Sequence, residues 1–180
     1  VVPLGFSVTK AEEFIRSKGD WIIKHLSAVP EKRKGLIYRG RRMEPVYKNE
    51  GITFREKESD KNLEINDDIM SQFNNWMYFV AKNYIPSRTV EFANKYKFRF
   101  NRIRVKKLRS RWGSCSSRGN LSFNYKLMQF PDEVIDYVII HELCHTKEMN
   151  HSQRFWQLVA EIIPNYKELK TILRNGTIGN

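Results

Sequence analysis

Three of the chain's four histidines, His141, His145 and His151, fall within one short stretch. The first two are four positions apart, so on a helix they share a face and can aim two imidazole nitrogens at one point. A catalytic zinc takes three protein ligands and leaves its fourth position to water. Glu142 follows His141 directly, and a carboxylate there can take a proton from such a water. Residues 141–145 match H-E-x-x-H, a pattern that carries its meaning when it lies on a helix. Two rival ligands stay open. Glu161 stands for His151 if the third ligand is a carboxylate, and Cys115 would close the site as a fourth.

The elements that must hold these residues are signalled nearby. Pro131 suits a first helical turn, and Asp132 and Glu133 put negative charge at the positive end of the helix dipole. Val134, Ile135, Val138, Ile139 and Leu143 supply a buried stripe. The helix must stop soon after His145. Continued as a helix, the chain would carry His151 about 9 Å along the axis, too far to share a metal. A turn between Lys147 and Asn150 is therefore predicted, with Asn150 able to take the left-handed conformation of a helix stop.

The interval from His145 to His151 equals that of the H-E-x-x-H-x-x-G-x-x-H metzincins. Glu148, however, stands where their glycine would be, and no methionine follows His151. The stretches Arg111-Trp112-Gly113-Ser114-Cys115, Asp136 to His145, and Met149-Asn150-His151-Ser152 with Phe155-Trp156 resemble the YgjP-like metallopeptidase family, related to SprT-type and WLM-type zincins. The similarity is strong from about Asn101 to Trp156 and weak over the first seventy residues. It implies an α+β, zincin-like fold, one zinc ion on His141, His145 and His151, Glu142 as catalytic base, and a protein or peptide substrate.

At 180 residues with 41% hydrophobic content the chain reads as one domain, 1–180. Within it, 1–66 form an N-terminal helix and β-meander subdomain, and 67–180 form the catalytic core, an active-site helix packed by a small antiparallel or mixed sheet. Two cysteines make no disulfide framework. No membrane span or signal-peptide pattern is present, so the reading is a cytoplasmic protein.

The net charge of +12 is concentrated. No acid lies between Glu91 and Asp132, while eleven lysines and arginines fall from Lys95 to Lys126. Such a stretch can attract nucleic acid without reading its sequence, through subsets such as Arg102, Arg104 and Lys106 on one strand face. This carries the alternative reading, a nucleic-acid-binding module with a structural metal site.

In order, Thr9 and Glu12 open a first helix through Leu26, with His25 as a surface residue. Leu36-Ile37-Tyr38, Pro45-Val46-Tyr47, Ile52-Thr53-Phe54 and Leu63-Glu64-Ile65 are strand candidates for the meander. The cations Lys32-Arg33-Lys34, Arg39, Arg41 and Arg42 read as solvated faces. Asp67-Asp68 starts a long helix that Pro86 should break or kink. Arg102–Leu108 and Leu121–Met128 alternate as strands, separated by a Ser/Gly-rich loop. Arg111 and Trp112 in that loop, with Asn124 and Tyr125 beyond it, are candidate substrate contacts, and Trp112 serves equally as a core anchor. Ser152 caps a helix through Ile163, and Asn165 with Glu168 starts a last one ending at Asn175-Gly176.

Overall fold

The computed structural model describes residues 35–48, 51–57 and 65–176. The helix expected from Thr9, His25, the run 32–34 and most of the candidate strand 63–65 lie outside them. Ile65 itself is not in a strand. Strands β1 (Leu36–Tyr38), β2 (Arg41–Lys48) and β3 (Gly51–Glu56) form the antiparallel meander, in that order. Helix α1 follows (Asp67–Tyr96), then β4 (Arg102–Lys106), β5 (Gly113–Cys115), β6 (Asn120–Asn124), a 3-10 turn (Tyr125–Gln129), and helices α2 (Asp132–Cys144), α3 (Gln153–Ile162) and α4 (Tyr166–Asn175). The class is α+β, as expected.

Helix α1 forms because Asn66 caps it, its Oδ1 accepting from the Ile69 amide at 2.9 Å. Ile69, Phe73, Met77, Ala81 and Ile85 recur every fourth residue and are all buried. Phe73 and Trp76 receive the meander, through Phe54 at 5.0 Å and Tyr38 at 4.9 Å between ring centroids. The break expected at Pro86 does not occur. The helix runs through it to Tyr96, because Ile85 and Thr89 on either side are fully buried and packing offsets a cost of about 3 kcal/mol. Lys97, at φ 57°, stops the helix in the left-handed conformation.

The second sheet is mixed. β6 lies in its centre, parallel to β4 and antiparallel to β5. Leu121 and Phe123 enter the core as the alternation requires. The strand ends at Asn124, however, and the expected continuation to Met128 is a 3-10 turn in which Tyr125, Leu127 and Met128 are all buried. Helix α2 is buried nearly all round, including Tyr137, Ile140 and Cys144 besides the predicted stripe. It is the central helix of the core.

One link was not visible in the composition. Arg39 and Gly40, at φ 50° and 78°, make the two-residue turn between β1 and β2. Their amides donate to the Met128 and Gln129 carbonyls at 2.7 and 3.1 Å. The Arg39 guanidinium pairs with both oxygens of Asp132 in the first turn of α2. Arg39 is thus not simply a solvated cation: the hairpin turn holds the start of the helix that carries the histidines. Arg39→Ala is expected to cost about 1 kcal/mol, the ion pair being partly exposed, and to lower Tm by a few degrees in a thermal scan.

Candidate metal centre and cleft

His141 and His145 stand on the last turn of α2 and its cap, and His151 follows a tight connection to α3. The helix ends on backbone bonds, joined by the Thr146 hydroxyl, which donates to the Leu143 carbonyl at 2.7 Å. The Thr146 amide donates to Leu143, and the Lys147 and Glu148 amides both donate to Cys144, at 2.9 to 3.0 Å. No described residue from 145 to 151 has positive φ, so the expected left-handed Asn150 is not used. The same fact explains Glu148 at the metzincin glycine position: the backbone there suits any L-residue.

The three imidazoles converge. One ligand nitrogen from each lies within 4.8 Å of the others. His141 Nε2 and His151 Nε2 are 3.0 Å apart. His145 Nδ1 sits 3.0 Å from the Glu148 carbonyl, which fixes its ring and leaves Nε2 for a metal. Phe155 stacks on His145 at 4.5 Å and Trp156 on His151 at 5.4 Å, so the first turn of α3 sets both ring planes. His141 Nδ1 is buried without a hydrogen-bond partner. Burial, then the neighbouring histidines and Lys170, push His141 down to about 3. His151 is lowered by the same kinds of cause. Imidazole nitrogens this close fit a cation between them. Among the described residues neither Cys115 nor Glu161 joins the cluster.

Glu142 is 6% exposed, and burial raises its carboxyl to about 8, with Arg111 pulling the other way. Its side chain lies flat on Gly113, the first residue of β5. A Cβ built there would fall 2.5 Å from Glu142 Oε1. The sequence reading put Gly113 in a loop that could wall the cleft and gave it no contact with Glu142; the structure places it in β5, where a glycine is a signal of close approach. A cleft of about 360 Å³ opens along these groups, lined by Trp112, Gly113, Tyr137, His141 and Glu142 and by residues of α4.

Trp112 lines the cleft and also packs edge-on against Phe130 at 4.9 Å. Arg111 is exposed and acts on Glu142 through its charge. Asn124 and Tyr125 do not line the cleft, and their polar atoms are used within the protein. Asn124 Nδ2 donates to the Leu108 and Arg111 carbonyls at 2.9 and 3.2 Å, and its Oδ1 accepts from the Lys126 amide at 3.1 Å. Tyr125 donates to Asn74 Oδ1 at 3.3 Å. Asn124 thus fixes the loop that delivers Trp112 and Gly113. Asn124→Leu should strand two carbonyls and destabilise by about 2–4 kcal/mol, read as a fall in denaturant midpoint. Arg102, Arg104 and Lys106 are exposed on β4, as the alternation expects.

A family model described as YgjP-like, metallopeptidase domain, matches residues 1–176. The chain belongs to the YgjP-like metallopeptidase family. No curated protein matches it. Among solved structures, the abylysin metallopeptidase zymogen of Pyrococcus abyssi is similar over 49% of this chain and 90% of its own, at 21% identity and TM-score 0.46. The jannalysin zymogen of Methanocaldococcus jannaschii is similar over 50% of this chain and 95% of its own, at 25% identity and TM-score 0.43. Among the described residues no helix is long and apolar enough to cross a membrane.

The opposed shifts at this YgjP-like site make a measurable pattern in metal-free protein. His141 titrates near 3 when folded against about 6.5 unfolded, so its contribution is lost as pH falls below 6.5. Glu142 titrates near 8 when folded, so its contribution is present at low pH and lost as pH rises through 8. Between pH 4.5 and 6.5 the two offset each other. The chelated protein should lose thermal stability from about pH 6.5 to 8.5, and Glu142→Gln should remove that alkaline decline. A decline unchanged by the substitution would assign it elsewhere.

Proposed function

We propose that this protein is a zinc-dependent peptidase, with one ion held by His141, His145 and His151 and with Glu142 as general base. The observation that carries the reading is the convergence of His141, His145 and His151, with His141 and the buried Glu142 lining a cleft. When bound, zinc supplies a Lewis acid that polarises the scissile carbonyl and acidifies a water. Glu142 accepts the proton of the attacking water and passes it to the leaving amine nitrogen. With a dication held on the three histidines, the Glu142 carboxylate would stay ionised despite its burial. Trp112 walls the cleft, and β5, the sheet edge beside Glu142, offers backbone groups to an extended substrate.

The alternative, a nucleic-acid-binding module around a closed structural site, needs a fourth ligand. The Cys115 thiol instead donates to the Ser116 carbonyl at 3.4 Å. Free Cys115 and Cys144 suit the reducing cytoplasm read from the sequence. The test is metal content with activity. The purified protein should carry about one zinc per chain, lose peptide hydrolysis to a chelator and regain it with zinc. His141→Ala and His145→Ala should each lower zinc affinity by about a hundredfold or more, measured by competition with a chromophoric chelator. Full activity in chelated protein would overturn the proposal.

A further inference from the structure

The cleft has one wall that the chemistry above does not use. Lys170, Thr171, Leu173 and Arg174 of α4 line it opposite the residues of α2 and β5. Lys170 and Arg174 are four residues apart on the helix, so they stand on one side of it, one turn apart. Both are exposed, and neither makes an ion pair among the described residues. Lys170 Nζ lies 4.5 Å from the ring centre of Trp156, the same ring that stacks on His151. That contact anchors the ammonium close to the metal centre while leaving its donors to solvent. Among the described residues Glu142 is the single acid lining this cleft, and it is buried against Gly113. Trp112, Tyr137 and Leu173 supply apolar surface to the same cleft.

A cleft lined by apolar groups, by His141 and Glu142, and by two cations without ion pairs among the described residues is complementary to an anionic group a short distance from the bond being cut. We propose that Lys170 and Arg174 form a carboxylate-recognising subsite, which directs the peptidase to substrates carrying a carboxylate next to the scissile region. The carboxylate comes from an aspartate or glutamate side chain or from the substrate's own C-terminus. This rests on the peptidase reading above. It adds a specificity determinant on α4 to the catalytic groups of α2.

The experiment uses the whole zinc-loaded protein and three matched peptides. One is blocked at both ends and contains glutamate, one is neutral with a free C-terminal carboxylate, and one is neutral and amidated. At low ionic strength kcat/KM for a carboxylate-bearing peptide should exceed that for the amidated peptide by about tenfold, the scale of two exposed ion pairs. The peptide that gains identifies the source of the carboxylate. Lys170→Gln with Arg174→Gln should bring the ratio close to one, chiefly through KM, and about 0.5 M salt should do the same to the wild type. A ratio near one in the wild type, or a preference that survives both substitutions, overturns the proposal. A parallel calorimetric titration of the same peptides into the Glu142→Gln protein reads the subsite without turnover. If no peptide is hydrolysed, the peptidase reading fails. The binding ratio, measured with and without the two α4 substitutions, still decides the subsite.

Discussion

The Glu142→Gln protein should retain about one zinc per chain and a native fold, yet hydrolyse peptides about 10²–10⁴-fold more slowly than the wild type. The amide has the shape of the carboxylate, so it fits the same seat against Gly113. It carries no charge to desolvate, so burial does not oppose it. What it lacks is basicity: near neutral pH it cannot accept the proton of an attacking water. The check is kcat/KM on a peptide substrate beside metal analysis and a thermal scan of the same preparation. Hydrolysis near the wild-type rate with zinc in place would take general-base catalysis away from Glu142.

Gly113→Ala is the second large effect. The added methyl would lie 2.5, 2.7 and 2.9 Å from Glu142 Oε1, Cγ and Cδ. Gly113 cannot easily retreat, because it is registered opposite Phe123 in β6, and Phe123 is fully buried. The Glu142 side chain must therefore give way. A displacement of about 1 Å in a catalytic group can cost about 10²-fold in rate. The expected result is a loss of that order in kcat/KM, with the three histidines still holding zinc. Loss of zinc as well would mean that the methyl disturbs α2 as a whole. Unchanged kinetics would show that the seat of the carboxylate is not set by this strand.

The clustering of His141, His145 and His151 was readable in the sequence because its geometry is local. Positions four apart on a helix meet whatever surrounds them, and a ligand six residues later forces a turn. The long helix starting at Asp67-Asp68 was equally visible, as was the meander. What escaped depended on distant partners. Arg39 and Asp132 are separated by 93 positions, and nothing near Arg39 distinguishes it from a solvated cation. Asn124 shares a strand face with Ser122, yet it is fully buried because the loop from Leu108 to Arg111 folds over it. Alternation from Leu121 to Leu127 could not reveal the end of the strand, since a 3-10 turn buried on several sides shows apolar residues at the same places. Gly113 was in plain view within a motif, but its use lies in a contact with a residue 29 positions on.

The connection from His145 to His151 has a consequence for how such a centre drifts over generations. It is closed by main-chain bonds and visits no conformation reserved for glycine. Glu148 contributes its carbonyl, not its side chain, to orienting His145. Apart from the Thr146 hydroxyl on the Leu143 carbonyl and the Glu148 pair with Arg154, its letters can therefore change while the three histidines stay together. Its length cannot, because a single deletion would withdraw His151 from the cluster. Selection here should act on spacing rather than spelling, and relatives should tolerate many residues at 146–150 but few insertions.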